Sequence, residues 1–156
     1  MKKIRGFEPI TIKNKKTMEE TKLPTRADKG SAGYDLFSPI KYVLAPHELT
    51  TIWLDVKCYM QDDEVLMIYP RSSMGKVRVT LANGTGIIDS SYYNNSDNEG
   101  NIGLMLVNDS DEPFFIEIGQ AIGQGIFMKY LFADNDQPRK ANRTGGFGSS
   151  DERGQI

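Results

Sequence analysis

The segment GTGIIDSSYYN, Gly84 to Asn94, sets one carboxylate, Asp89, directly after the apolar pair Ile87 and Ile88 and three residues before Tyr92. On a strand, Thr85, Ile87 and Asp89 share one face, and Gly86, Ile88 and Ser90 share the other. Gly84 and Gly86 carry no Cβ, so backbone at those positions can approach another group closely. A glycine-flanked strand, a buried apolar pair, a lone acid and an aromatic ring suit a small planar substrate with one base aimed at it. They equally suit an acid and a tyrosine that simply end a hairpin strand, and this segment alone does not choose between the two.

Four further stretches carry candidate site groups, two of them suited to anions. In YPRSSMGK, Arg71 offers a planar fork of donors and Ser72 and Ser73 add hydroxyls where a strand turns, a set that suits phosphate oxygens. An exposed arginine beside a serine turn has the same pattern. NRTGGFGSS, Asn142 to Ser150, combines glycines with Arg143, Ser149 and Ser150, but without the lysine and following helix of a P-loop. A linker has that composition too. SAGYDLFS sets Asp35 after a small-residue turn, where an acid often caps its own backbone. IGQAIGQGIF reads as a strand whose glycines permit close backbone approach, with Gln124 facing either a site or solvent.

Composition removes several other chemistries. Nineteen basic and twenty-one acidic residues give a net charge of −2, so there is no blanket for a nucleic-acid polymer and any phosphate site must be local. Cys58, the only cysteine, cannot form an intrachain disulfide and falls in phase with a core face. His47, the only histidine, stands in a turn beside Pro46, which leaves little room for a zinc centre or a Ser-His-Asp triad. The basic start MKKIRGFEPI is followed by no apolar stretch, and no run approaches a membrane span. A soluble, cytoplasmic protein is expected.

The elements that must position these residues are strands. In TIWLDVKCYM, the side chains of Ile52, Leu54, Val56, Cys58 and Met60 alternate with Asp55 and Lys57 on the opposite face. KVRVTLAN alternates at Val77, Val79 and Leu81. EVLMIY reads as a strand covered on both faces, and NIGLMLVN and PFFIEIGQAIGQGIFMKY supply more. Only Met74 to Val77 has the makings of a helical turn. Many short strands separated by turn signals predict an all-β jelly roll or barrel over residues 1–141, with a flexible glycine-rich tail over 142–156. The polar loop SYYNNSDNEGN, Ser91 to Asn101, is expected to be mobile.

Taken in order, SAGYDL, PRSSMG, NGTGIIDSSY, GQAIGQ and RTGGFGSS resemble the five motifs of the all-β, homotrimeric dUTPase family, with TKLPTRADKG similar to its lead-in. The resemblance implies a distorted jelly roll whose sites are shared among three subunits, with dUTP and water giving dUMP and pyrophosphate in the presence of Mg²⁺. By position, Asp89 matches the catalytic base and Tyr92 the ring beneath the deoxyribose. Asn83 and the backbone from Gly84 to Ile88, Gly86 and Ile88 included, match the hairpin that reads uracil. Arg71, Ser72, Ser73 and Gln124 match phosphate contacts, and Asp35 matches an acid that holds the Mg²⁺ shell through water. Arg143, Phe147, Ser149 and Ser150 match the tail that covers base and phosphates. Three places depart from the pattern: Gln120 and Ala121 replace an acid and an arginine, Tyr93-Asn94 replaces Arg-Gly before the extra loop, and Arg143 lies one residue closer to its glycines. The rival readings are a dCTP deaminase-like enzyme, which would need a glutamate where NIGLML has none, and a non-enzymatic regulator that contacts a protein through Asn94 to Asn101.

Phe147 is the one aromatic residue beyond Asn142, too little apolar surface to offset the entropy of ordering a glycine-rich segment on its own. Deleting residues from Asn142 onward is therefore expected to leave the thermal midpoint nearly unchanged and to collapse kcat, with Phe147→Ala a milder version. A truncated chain with normal turnover would remove the tail from the chemistry.

Overall fold

The structure, a computed structural model, describes residues 1–139; the tail positions Arg143, Phe147, Ser149 and Ser150 lie outside the described residues. Period-two alternation is realised as antiparallel strands throughout. The largest sheet runs in the order β2 (Thr25–Arg26), β3 (Tyr34–Phe37), β12 (Ala121–Lys129), β7 (Glu64–Tyr69) and β9 (Gly86–Asp89). A second sheet orders β5 (Leu49–Trp53), β10 (Gly103–Asn108) and β8 (Val79–Leu81). Two smaller ladders pair β1 (Gly6–Pro9) with β6 (Val56–Tyr59), and β4 (Tyr42–Leu44) with β11 (Phe114–Ile116). One core joins them, with Leu36, Ile52, Leu66, Ile68, Leu104 and Ile122 almost without exposure. Each such side chain contributes about 1.5–3 kcal/mol relative to an exposed one.

The helical turn expected after RSS is α1 (Ser72–Lys76), which starts two residues earlier and buries Met74. It shortens the following strand. Val77 is exposed, Arg78 sits at φ 60°, and pairing begins only at Val79. Among the described residues no helix is long and apolar enough to cross a membrane.

The single strand expected over Thr51 to Met60 is instead two, broken at Leu54 and Asp55. Ile52, Leu54, Val56 and Cys58 are buried as the alternation requires. Burial pushes the Cys58 thiol up, which leaves it inert as a nucleophile. The opposite face is buried too. Asp55, fully buried at φ 56°, accepts from the backbone amides of Lys16 (2.8 Å) and Thr17 (3.0 Å), the Thr17 hydroxyl (2.9 Å) and Asn101 Nδ2 (3.0 Å). Those donors offset the cost of burying its charge.

Lys57 is buried beside it, donating to Asn94 Oδ1 and Glu99 Oε1, each at 2.7 Å. What covers this face is the segment around Thr11 to Thr17 and the loop 94–101. That loop is folded, contrary to the mobility its polarity implies. Asn95 is buried and binds the Tyr92 carbonyl and Asn98 Oδ1, each at 2.8 Å, while Asn101 is fully buried against Asp55. Asn94, Ser96 and Asp97 are its exposed residues, which narrows the surface it offers to a protein partner.

Burial alone would push the Glu99 carboxyl up; hydrogen bonds from Lys57, Thr11 and Asn14 outweigh it and hold the group at about 2, against an ordinary 4.5. Because the folded value lies below the unfolded one, its stabilisation is complete above roughly pH 5 and drains as pH falls toward 2. Glu99→Gln leaves Lys57 buried without its counter-charge and is expected to cost on the order of 3 kcal/mol near neutral pH. Urea unfolding should show that gap narrow as the buffer is taken toward pH 3. A gap constant across that range would mean that ionised Glu99 contributes nothing.

Candidate active site

Three neighbouring strands build the first half of the site. Gln124 on β12 lies opposite Asp35 on β3 and opposite Tyr69 on β7, so one rung of the sheet aligns three segments far apart in sequence. Two residues past Tyr69, Arg71 turns back, and its Nε meets Asp35 Oδ1 at 3.0 Å. Asp35, Arg71, Ser72, Ser73 and Gln124 together line a cavity of about 500 Å³. Gln124 is held by donation from its Nε2 to the Pro70 carbonyl at 3.0 Å. Gly33 makes room for it, since a Cβ there would stand 2.5 Å from Gln124 Oε1. A half-exposed guanidinium, two hydroxyls and an amide around one opening form a donor-rich pocket suited to phosphate oxygens. Ser31 and Gly33 belong to this lining as well; their place in the turn before Asp35 was the available signal.

The second half is built around the turn from β8 to β9, which carries the chain from one sheet to the other. Gly84 takes φ 74° at its turn, donating to the Leu81 carbonyl at 3.0 Å, and a Cβ there would meet nothing. Positive φ is the whole reason for that glycine. Gly86 answers instead to close approach: a Cβ would lie 2.9 Å from Cβ of Ile68 on β7. Asn83, Gly86, Ile88 and Tyr92 line a cavity of about 170 Å³ with Ile68 and Leu104. Backbone and amide groups beside apolar walls suit a flat heterocycle. Ile88 packs on the core, whereas Ile87 is 57% exposed, so the apolar pair before Asp89 is not buried as a pair. Strand β9 turns one of the two to each face.

Asp89 ends β9 opposite Val65, partly exposed. Burial, then the negative charges of Asp89, Asp62 and Asp63, push the nearby Tyr130 hydroxyl up. Tyr92 closes the 3₁₀ turn Ser90–Tyr92 and is 6% exposed. Tyr93 points elsewhere, donating to Glu8 Oε2 at 2.6 Å and meeting the Tyr59 ring edge-on. The two tyrosines therefore point apart, Tyr92 inside the 3₁₀ turn and Tyr93 just past its end.

The two halves do not meet on one chain. Asp89 stands opposite the start of β7, at Val65, while Arg71 follows its end, six residues along. At about 3.3 Å per residue that is on the order of 20 Å. The cavities share no lining residue.

Comparisons with known proteins agree with this architecture. The dUTPase family model matches residues 19–151. The chain is 43% identical over 150 residues to the deoxyuridine 5'-triphosphate nucleotidohydrolase of Lactococcus lactis, covering 95% of this chain and 98% of that protein. It is 32% identical to the mitochondrial enzyme of that name from Dictyostelium discoideum, over 90% of this chain and 76% of the other. The crystal structure of dUTPase from Streptococcus mutans superposes with a TM-score of 0.75 at 37% identity, over 83% of this chain and 99% of that one. With motifs, fold and relatives in agreement over nearly its whole length, the chain belongs to the dUTPase family.

Proposed function

We propose that this chain is a dUTP diphosphatase, converting dUTP and water to dUMP and pyrophosphate. The observation that carries the reading is the presence on one chain of a donor-rich pocket (Arg71, Ser72, Ser73, Gln124) and of a second cavity (Asn83, Gly86, Ile88, Tyr92) whose lining residue Ile88 directly precedes the acid Asp89. The curated relatives carry the name of this activity. Neither cavity is lined by a glutamate, which disfavours deamination of dCTP.

In this reading Asp89 accepts a proton from water as its oxygen attacks the α-phosphorus. The bond to the β-phosphate oxygen breaks, and pyrophosphate leaves with the electron pair. A positioned base supplies about 10²–10⁴-fold, less than phosphate chemistry needs in total. Arg71, Ser72, Ser73 and Gln124 supply electrostatic stabilisation of the charge on the phosphates, joined from the tail by Arg143, Ser149 and Ser150, while Phe147 covers the base. Asn83 and the backbone at Gly86 and Ile88 read uracil; a base with the wrong edge leaves buried polar groups unpaired.

Members of the family use a divalent metal. Among the described residues no three His, Cys, Asp or Glu side chains converge to cage one, and Asp35 is the one carboxylate in the phosphate pocket. That donor set fits Mg²⁺ carried on triphosphate oxygens, with Asp35 reaching its shell through water. Bound there, the metal neutralises phosphate charge.

The separation of Asp89 from Arg71 supports sites shared between copies of this chain, arranged as a homotrimer. Exposed Ile87, Met128, Leu131 and Phe132 supply apolar surface for such an assembly.

Incubation with dUTP, UTP, dCTP and dTTP plus Mg²⁺ should give dUMP and pyrophosphate from dUTP alone, and EDTA should abolish it. Asp89→Asn should bind dUTP but lose all but a small fraction of kcat; a tenth retained would mean that another group is the base. Shared sites have a sharper test. Asp89→Asn and Arg71→Ala, each inactive alone, should regain about a quarter of wild-type activity when unfolded and refolded as a one-to-one mixture, since random trimers place intact partners together that often. A mixture as dead as its parents would put each site within one chain.

A further inference from the structure

Tyr92 is gripped at both ends by the loop that follows it. Its hydroxyl donates to the Asn101 carbonyl at 2.6 Å and accepts from Asn98 Nδ2 at 2.8 Å. Its own carbonyl accepts from Asn95 Nδ2 at 2.8 Å. The grip is itself braced. Asn98 Oδ1 accepts from Asn95 Nδ2 at 2.8 Å and from the Gly100 amide at 3.0 Å. Gly100 takes φ 90°, and a Cβ there would lie 2.8 Å from the Tyr92 carbonyl oxygen, so the loop can fold back this closely only with glycine. Asn101 is fully buried, its amide exchanging hydrogen bonds of 3.0 Å with Asp55 N and Oδ1.

We infer that the loop 95–101 is a specificity device, with Asn98 the positioning residue that fixes the Tyr92 ring against the sugar. This rests on the reading of Tyr92 as the residue beneath the deoxyribose. The physical argument concerns stiffness. A wall rejects a ribose 2′-hydroxyl only if moving the wall costs more than the binding energy gained by admitting it. A tyrosine anchored only at Cα yields by a small rotation about χ1. One whose hydroxyl is also fixed must first break two hydrogen bonds, one buried and one part-buried, and leave the buried Asn101 carbonyl unpaired. The anchors are a neutral amide and a backbone carbonyl, so the grip does not vary with pH in the range where carboxylates titrate.

The test is the ratio of kcat/KM for dUTP to that for UTP. Asn98→Ala removes the side-chain anchor, and Tyr92→Phe removes the hydroxyl while keeping the ring. Each is expected to narrow the ratio by about tenfold, the scale on which a pocket discriminates one small group, chiefly through a gain on UTP. Asp97→Ala, exposed in the same loop, should leave the ratio at its wild-type value. A merely structural loop would lower both substrates together and leave the ratio unmoved in all three; that result overturns the inference. Should Asn98→Ala fail to fold, Tyr92→Phe decides alone, because its ring still fills the same space. A wild-type chain that hydrolyses no dUTP would sink the functional reading itself. A normal wild type with unaltered selectivity in the variants sinks only the role of the loop.

Discussion

The structure hangs on strand β7, which pairs on one side with β12 and on the other with β9. Its antiparallel registers decide where every reactive group stands. Through β12 it aligns Gln124 with Asp35 and leads the chain into Arg71; through β9 it sets Asp89 at the opposite end. A slip of one residue in either ladder would turn these side chains to the other face. Glycines guard the register where side chains would intrude: a Cβ at Gly125 would lie 2.9 Å from Leu66, and one at Gly86 equally close to Ile68. The same geometry that orders the two half-sites also keeps them apart. A strand of this length is a rigid spacer, so no loop movement within one chain brings Asp89 to Arg71. In the proposed homotrimer, symmetry does what flexibility cannot: a second copy meeting the first would place one half-site against the other without bending either.

A second organising feature is polar and lies away from the apolar core. Asp55, Lys57, Glu99 and Asn101 are withdrawn from water in one connected patch, tying the segment from Thr11 to Thr17 to the loop after Tyr92. Such a patch contributes less to net stability than apolar residues of the same volume would, because desolvation offsets most of the Coulomb gain. What it supplies is uniqueness of placement. Its donors and acceptors are matched to one another at hydrogen-bond distance, so the loop has one low-energy arrangement, and Tyr92 inherits it. The 3₁₀ turn that carries Tyr92 is too short to be rigid by itself.

Most strands were legible because alternation is a local property. Ile52, Leu54, Val56 and Cys58 are buried as their phase dictates, and EVLMIY is a strand flanked on both sides. The site motifs were legible for a different reason: turns need particular residues, and Asn83-Gly84 and Arg71-Ser72-Ser73 announce theirs. What was not legible is long-range. Nothing around Lys57 signals that Glu99, 42 positions on, will neutralise it, so alternation places Lys57 on a face without saying what covers it. The loop Asn94 to Asn101 read as mobile because its composition is polar, yet its asparagines bind one another and its own backbone, which composition cannot reveal. Strand β1 went unread because Gly6 and Pro9 mask its alternation, and it exists through pairing with β6.

The placement of Asp35 shows how the charge balance of the phosphate pocket is kept. A lone Arg71 beside Ser72 and Ser73 would draw any anion. With Asp35 on its Nε, the pocket's formal charge is close to neutral before substrate arrives, and the guanidinium's orientation is set. The pocket therefore gains little from a single phosphate or from chloride. A triphosphate that brings its own divalent cation changes that balance, because the cation offsets the repulsion Asp35 exerts on phosphate oxygens while Arg71 keeps its remaining N–H groups for them. In the proposed reading, selectivity for a metal-bearing triphosphate over simpler anions follows from placing one carboxylate against one guanidinium, with no cage of three His, Cys, Asp or Glu side chains among the described residues. In the proposed reading the base and sugar are read elsewhere, in the cavity beside β9, so the two recognition tasks fall to two surfaces that one chain holds apart.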